Sequence, residues 1–257
     1  MENTTNLIVA APREYIAAAA RTGLPVAHII YRIGRGYHLY RAQGTEFVRG
    51  GLMVVDTDGF TGGGPAAAFV AELLHECEKS GFTGIVLDTG GRSSAQLTSL
   101  TAHLASDAKA RGLKVYVPEA LASASEHVIA LVPSALSGGT LSDHIGEALK
   151  KYDGRVALEI ERVRMDFSLP AVTGAGRELT AEELQALIEQ QHAQSFLSKD
   201  LCAYYFTYHD KKGTRFVLYD NAASIRRKLT VASRLGIENA FIFYPQVEDI
   251  IDKIIAP

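Results

Sequence analysis

Carboxylate side chains recur where short apolar runs of this chain end. They are Asp56 with Asp58, Asp88, Glu119, and Glu161 with Asp166. Two carboxylates held on opposite sides of a bond can act as general acid and general base. These residue types would therefore suit acid–base chemistry if their side chains converge in the fold. The alternative is that these acids are ordinary solvated loop residues.

Motifs for phosphate or metal binding are weak. The run Gly59-Phe60-Thr61-Gly62-Gly63-Gly64-Pro65 precedes a predicted helix, but it lacks the Gly-Lys-Ser/Thr that completes a phosphate loop. None of the 8 His residues forms a metal-ligand pair such as HExxH. We therefore expect no metal and no cofactor.

A second candidate surface is a hairpin in which basic and aromatic residues alternate from Tyr31 to Arg41, across Gly34-Arg35-Gly36. Tyrosine and arginine together are typical of protein-binding surfaces. We expect Arg35 and Tyr37 to contact a protein, either a second copy of the chain or another partner. A strip that stacks single-stranded nucleic acid and a simple solvated hairpin are the alternatives.

Composition limits the partners. The chain has 257 residues, of which 47% are hydrophobic and 21% charged, and a formal net charge of -3. Such a charge gathers neither nucleic acid nor an anionic membrane. Cys77 and Cys202 are too far apart in sequence to predict a zinc site or a disulfide framework, so both are expected to be reduced core residues.

No targeting segment is visible. The opening stretch MENTTNLIVAAPREY has no basic segment, and its apolar run breaks at Pro12. No stretch approaches the ~18 apolar residues of a membrane span. We expect a cytoplasmic protein without a membrane partner.

The elements that would position these residues alternate between short apolar runs and segments of helical period. The predicted strands are Leu52 to Asp56, Gly84 to Asp88, Lys114 to Val117, His127 to Val132, Val156 to Ile160, Cys202 to Thr207 and Ala240 to Phe243. The predicted helices are Pro65 to Lys79, Ala95 to Arg111, Leu141 to Lys151, Ala181 to Ala193, Ala222 to Arg234 and Gln246 to Ile254.

This alternation predicts a parallel sheet covered by helices. Leu7 to Ala10 is an additional strand, and Ala27 to Ile33 with Tyr37 to Arg41 is predicted to form the inserted hairpin. The count then comes near eight, so we expect an α/β fold, a (β/α)8 TIM barrel with an N-terminal hairpin insertion, formed by residues 1–257 as a single domain. An open doubly wound sheet is the alternative. In a barrel of this kind, chemistry occurs at the carboxyl ends of the strands.

Two segments resemble glycoside hydrolase family 18, the chitinase-like barrels. In the first, Tyr219-Asp220-Asn221, Ser224-Ile225, Lys228 and Gly236 match the C-terminal pattern of the family. The second is GFTGIVLDTGG, residues 81–91, which looks like the family's Gly-Phe-Asp-Gly-Ile-Asp-Ile-Asp-Trp-Glu strand.

The resemblance implies that the catalytic machinery is depleted. The family's final Glu is the general acid that protonates the glycosidic oxygen, and Gly90 occupies its position here. Thr83 and Val86 replace the first two Asp residues, whereas Asp88 retains the third. The last-strand Trp corresponds to Phe243, and the whole chain contains no Trp.

These observations predict a non-hydrolytic chitinase-like barrel that acts as a glycan-binding or protein-interaction module, with an N-acetylglucosamine-type glycan as its ligand. The expected ligand-binding residues are Asp88, Tyr208, Tyr219, Asp220, Phe243 and Tyr244. The resemblance also places Asp88 beside Tyr219 and Asp220 at the barrel mouth. No catalytic residue is expected.

Two alternatives stay open. One is an active glycoside hydrolase with relocated strand-end carboxylates, for which Asp56, Asp58, Asp88, Glu119 and Glu161 are the candidates. The other is a barrel enzyme of unrelated chemistry.

Overall fold

The computed structural model of the chain describes residues 5–34, 37–44, 48–60, 66–136, 138–170, 176–211 and 213–256. The strands are β1 (Asn6–Pro12), β2 (Val26–Ile33), β3 (Leu39–Arg41), β4 (Leu52–Asp56), β5 (Gly84–Asp88), β6 (Lys114–Pro118), β7 (Val128–Pro133), β8 (Val156–Ile160), β9 (Arg164–Ser168), β10 (Arg177–Glu178), β11 (Phe196–Ser198), β12 (Ala203–Asp210), β13 (Gly213–Tyr219) and β14 (Asn239–Phe243). The helices are α1 (Ile16–Ala20), α2 (Ala66–Lys79), α3 (Ala95–Ala110), α4 (Leu141–Lys151), α5 (Ala181–Gln190), α6 (Ala222–Arg234), α7 (Tyr244–Val247) and α8 (Ile251–Ile255).

Parallel strands form a closed barrel. Within the described residues there are eight, in the order β1, β2, β4, β5, β6, β7, β8 and β14, and β14 pairs with β1 to complete the circle. The intervening helices cover the outside. The predicted (β/α)8 TIM barrel is therefore confirmed.

Strand alternation separates two apolar layers. On β5, Val86 belongs to the cluster that fills the barrel interior, whereas Ile85 and Leu87 belong to the cluster under the helices. Successive side chains of a strand point to opposite faces, so this division follows from the backbone. Because Val86 points inward, Asp88 also points inward, at the carboxyl end of its strand.

The predicted hairpin is present, with a different role for its first strand. β2 pairs antiparallel with β3, as expected for a hairpin. β2 also pairs in parallel with β1 and β4 and is therefore a wall of the barrel. The register shifts between Ile29 and Tyr31, which turns Tyr31 toward the outer layer, where its hydroxyl donates to Glu76.

A second, antiparallel sheet lies between β8 and α6. Its strand order is β10, β9, β13, β12 and β11, and α5 covers one face, where Leu184 of the helix packs in one cluster with Phe206 of β12 and Val217 of β13. The segment from Cys202 to Thr207, predicted as a barrel strand, instead overlaps β12 (Ala203–Asp210) of this sheet, so its place in the barrel was predicted wrongly. An aromatic, β-branched run indicates a strand but does not indicate which sheet it joins.

Helix ends follow local signals. Thr180 forms a capping box with Glu183 at the start of α5, and Thr140 caps α4. The predicted last helix is divided into α7 and α8.

Cys77 and Cys202 are free and buried, as predicted. Within the described ranges, no helix is both long and apolar enough to cross a membrane.

Candidate functional site

A cavity of about 680 Å³ opens at the carboxyl ends of the barrel strands. Its floor is apolar and includes Val54, Val86, Leu131 and Phe241 from the interior cluster. Its upper wall carries polar side chains and, within the part of the chain that the structure describes, one exposed aromatic ring. An apolar cavity with a few convergent polar groups at this face of a barrel is the usual form of a ligand site.

Carboxylates provide most of the polar wall. Among the described residues, Asp88, Glu119, Glu159 and Glu161 line the cavity. Asp88 ends β5, Glu119 follows β6, and the other two come from β8 and the residue after it. Three of the four, Asp88, Glu119 and Glu161, are predicted strand-end acids, so the sequence pattern correctly brought them to one end of the barrel.

Glu159 was missed by the sequence analysis. It is the fourth residue of the strand Val-Ala-Leu-Glu-Ile, where a charged residue interrupts an apolar run. Its side chain is exposed to the cavity although its backbone lies within the barrel wall. Alternation points it inward with Ala157, which belongs to the interior cluster. An acid inside an otherwise apolar strand was the signal that could have found it.

The surroundings of Glu159 disfavour its charge. Burial raises the pKa of the Glu159 carboxyl above its ordinary range, and the negative charges of Glu161 and Asp88 raise it further. Poor solvation and like charges both favour the protonated form. Glu159 is thus the cavity carboxyl best suited to hold a proton and donate a hydrogen bond.

This raised pKa predicts that the difference in stability between the parent protein and Glu159→Gln depends on pH. An unfolded Glu titrates near pH ~4.3, so the favourable protonated state of folded Glu159 is lost as the pH rises from there through the higher folded pKa. Glu159→Gln, which cannot ionise, is therefore expected to gain stability relative to the parent between about pH 4 and about pH 7. Urea unfolding at both pH values measures the difference.

Glu147→Gln, at an exposed position of α4, is the matched control for the loss of one carboxylate. A difference between the parent and Glu159→Gln that stays constant over this pH interval would contradict the placement of Glu159 in a negatively charged, poorly solvated wall.

Two of the other carboxylates are held in position. The Tyr152 hydroxyl donates to Glu119 at 3.0 Å, and Lys151 lies 3.8 Å from the same carboxylate. The backbone N–H of Gly90 donates to Asp88 at 3.0 Å. In the lining contributed by the described residues there is no Lys, Arg or His. The cavity therefore suits ligands that donate hydrogen bonds, such as polyhydroxylated molecules, and disfavours anions.

Phe243 supplies the exposed ring. It ends β14, is 38% exposed, and lines the cavity together with Gln246. A flat apolar ring beside hydrogen-bond acceptors matches the two surfaces of a sugar, whose ring faces are apolar and whose edges carry hydroxyls. This is the residue that the resemblance aligns with the family's Trp.

The backbone conformation at position 90 disfavours any residue with a side chain, including an acid. Gly90 has φ of +56° and Gly91 has φ of +79°, both in the left-handed region. L-residues with a Cβ adopt that region at a cost of about 1–2 kcal/mol. The chain therefore makes a tight glycine turn where the resemblance places the general acid.

Asp220 has a structural role. It is 1% exposed and accepts hydrogen bonds from Lys228 Nζ at 2.6 Å and from the Ser224 hydroxyl at 2.7 Å. It also joins the end of β13 to the barrel, because its carboxylate accepts from Val163 N–H at 3.0 Å. Asp220 and Lys228 of this motif thus form a buried ion pair. The pair lies at the carboxyl face of the barrel, the same end as Asp88, but outside the described cavity lining.

The predicted tyrosines lie elsewhere. Tyr208 donates to Asp166 in the inserted sheet, and Tyr219 packs in the core beneath α5. Tyr244 is 6% exposed and its ring contacts that of Tyr15, with centroids 5.8 Å apart. None of these three belongs to the cavity lining among the described residues. Each tyrosine is held by core packing or by a hydrogen bond to a residue distant in the chain. The sequence alone does not reveal such contacts.

The remaining predicted acids form a neighbouring loop network. The backbone of Asp56 on β4 lies opposite that of Asp88 on β5. The Asp56 carboxylate accepts a hydrogen bond from the backbone N–H of Asp58 at 2.7 Å. Asp58 in turn forms an ion pair with Arg92 at 2.5 Å. Both acids lie beside the cavity rather than in its described lining. Among the described residues, no group of three or more His, Cys, Asp or Glu could hold a metal ion.

Of the two hairpin residues that are predicted to contact a protein, the structure describes only Tyr37. Arg35 lies outside the described residues. Tyr37 is half-buried and packs edge-on against Phe60 and Phe69, with centroids 5.0 and 6.1 Å away. The expected protein contact of this hairpin stays a prediction.

The closed parallel barrel with its covering helices has the fold of the chitinase barrels of glycoside hydrolase family 18. The chitinase of Chromobacterium violaceum is similar over 92% of this chain and 93% of its own, at 19% identity with a TM-score of 0.62. The spore cortex-lytic enzyme SleL of Bacillus cereus matches 100% of this chain and 75% of its own, at 15% identity with a TM-score of 0.68.

A family 18 chitinase from Cycas revoluta, described in complex with allosamidin, matches 97% of this chain and 98% of its own at 13% identity, with a TM-score of 0.66. The resemblance seen in the sequence is therefore confirmed at the level of the fold. No model of a protein family and no curated protein sequence matches the chain.

Proposed function

We propose that the barrel-mouth cavity binds an N-acetylglucosamine-type glycan without hydrolysing it. One observation carries the proposal: the cavity combines the exposed ring of Phe243 with hydrogen-bond-accepting carboxylates, whereas the position of the family's acid is a left-handed glycine. The same Cycas chitinase is also described in complex with (GlcNAc)3. That ligand supports the choice of glycan class.

The binding mode follows from the wall. A sugar ring would lie against Phe243, and its hydroxyl and amide N–H groups would donate to Asp88, Glu119 and Glu161. Hydrogen bonds to charged acceptors each contribute about 1.5–3 kcal/mol when well formed. The sugar amide would thus be bound as a recognition group.

The turnover assay tests the proposal. Fluorogenic aryl chitooligosaccharides are expected to release no fluorophore above the uncatalysed rate. Gly90→Glu is expected to leave turnover undetected and to lower the free energy of unfolding by about 1 kcal/mol, because Glu there must adopt positive φ. Gly138→Glu, at an exposed glycine with ordinary φ and open space around it, is the matched control for stability. Turnover gained by Gly90→Glu would contradict this account of the turn.

A second candidate function is favoured by Glu159. A protonated Glu159 could transfer its proton to a glycosidic oxygen as the C–O bond breaks, while Asp88 or Glu161 deprotonates the attacking water. The raised pKa of Glu159 supports the role of proton donor. Under this alternative the parent hydrolyses the substrate, and Glu159→Gln loses about 10²- to 10⁴-fold in rate. Glu147→Gln would retain the full rate.

A further inference from the structure

A basic groove lies on the outer wall of the barrel, away from the cavity. Its volume is about 550 Å³, and it is bordered by α6, by Ser142 at the start of α4, and by the loop after β11. Arg226, Arg227 and Arg234 line it from one face of α6, and Lys199 lines it from the loop. All four side chains belong to exposed residues.

Among the described residues, no carboxylate neutralises these cations. In the ion pairs and hydrogen bonds of the described residues, none of the four is joined to an Asp or Glu, and the groove lining contains no acid. Arg227 lines the groove together with Cys202, whose thiol donates to the carbonyl oxygen of Lys199 at 3.5 Å. Among the described residues the groove therefore gathers four unpaired positive charges, although the formal net charge of the chain is -3. The arrangement is complementary to an anion.

We propose that this groove binds a linear phosphate-bearing polyanion. Guanidinium groups hold phosphate through two parallel hydrogen bonds, and three of the four cations are arginines. The hydroxyls of Ser142 and Thr230 add neutral donors. Ser142 also lies in the first turn of α4, where the partial positive charge of a helix favours anions.

The lining favours a polyphosphate chain over nucleic acid. Proteins that bind single strands stack bases on aromatic rings. Among the described residues the groove has no aromatic side chain, and its apolar part consists of small and aliphatic groups such as Ala223, Val231 and Leu235. Phosphates can be held there, but bases would gain no stacking.

The groove and the cavity are separate sites. Their linings share no residue among those described. Polyanion binding is therefore independent of the proposed glycan site, and either proposal can fail without the other.

Titration with inorganic polyphosphate tests the groove. Arg226→Gln/Arg234→Gln removes two cations whose side chains form no hydrogen bond or ion pair with the described residues, so the fold is expected to remain intact, with an unchanged thermal midpoint. The dissociation constant is expected to rise about tenfold or more, equivalent to about 1.4 kcal/mol. Lys79→Gln/Lys109→Gln, which removes the same charge from the exposed surfaces of α2 and α3, is the matched control and is expected to bind like the parent.

Three outcomes would overturn the proposal. Equal weakening in both double variants would mean diffuse attraction to the whole surface. Tighter binding of an oligothymidylate than of polyphosphate with the same number of phosphates would assign the groove to nucleic acid. Absence of measurable polyphosphate binding at low salt would exclude the site altogether.

Discussion

Lys228→Met is expected to lower the free energy of unfolding by about 3–5 kcal/mol. The lysine is 1% exposed, and its ammonium lies 2.6 Å from the Asp220 carboxylate. Removing one member of a buried ion pair leaves the other charge desolvated without compensation, which accounts for the size of the effect. Urea unfolding followed by circular dichroism measures the change.

The Lys228 side chain also contacts a residue of the cavity wall. Lys228 Nζ lies 3.4 Å from the carbonyl oxygen of Glu161, whose side chain lines the cavity. Asp220→Asn combined with Lys228→Met removes both charges and is expected to recover part of the loss. Lys253→Met, at an exposed position of α8, is the control and should change stability by no more than ~0.5 kcal/mol. A loss for Lys228→Met as small as that of the control would show that the pair is not buried as described.

Phe243→Ala is expected to weaken binding of an N-acetylglucosamine oligomer by about 30-fold, or ~2 kcal/mol. The ring is the exposed aromatic of the cavity wall, and its removal leaves the apolar sugar face against water. Because Phe243 is 38% exposed, its truncation should affect the fold much less than the truncation of a core residue. Isothermal titration calorimetry measures the affinity.

Phe196→Ala is the matched control for this variant. Phe196 is 49% exposed and lies on β11 of the inserted sheet, outside the described cavity lining. It is expected to bind the oligomer like the parent. Equal losses in the two variants would place the sugar on the inserted sheet rather than in the cavity.

The barrel could be predicted from the sequence because several of its strands, such as β4, β5 and β7, are short apolar runs followed by a segment of helical period. Gly84–Asp88, Val156–Ile160 and Leu141–Lys151 were predicted with their observed bounds. The inserted sheet could not be predicted, because its β12 has the same composition as a barrel strand. Pairing between β9 and β13 depends on contacts about 50 residues apart in the chain, which local patterns do not encode.

The site was predicted in part. Asp88, Glu119, Glu161 and Phe243 meet in the cavity because the carboxyl ends of parallel strands converge. Asp220 resembled a ligand-binding residue, but Lys228, eight positions later on the inner side of α6, binds its carboxylate. The motif that carries the family resemblance at this position therefore has a structural explanation. Glu159 escaped notice because it lies one residue before a strand end rather than at it.

The most direct test of the central claim is one calorimetric titration of the unmodified protein with the tetramer of N-acetylglucosamine. We predict a saturable heat with one site per chain, followed by a return to the baseline after each injection, since the ligand is bound and not cleaved. A heat flow that persists after each injection, in proportion to protein concentration, would reveal turnover and contradict the account. No heat at any temperature tested would contradict glycan binding itself.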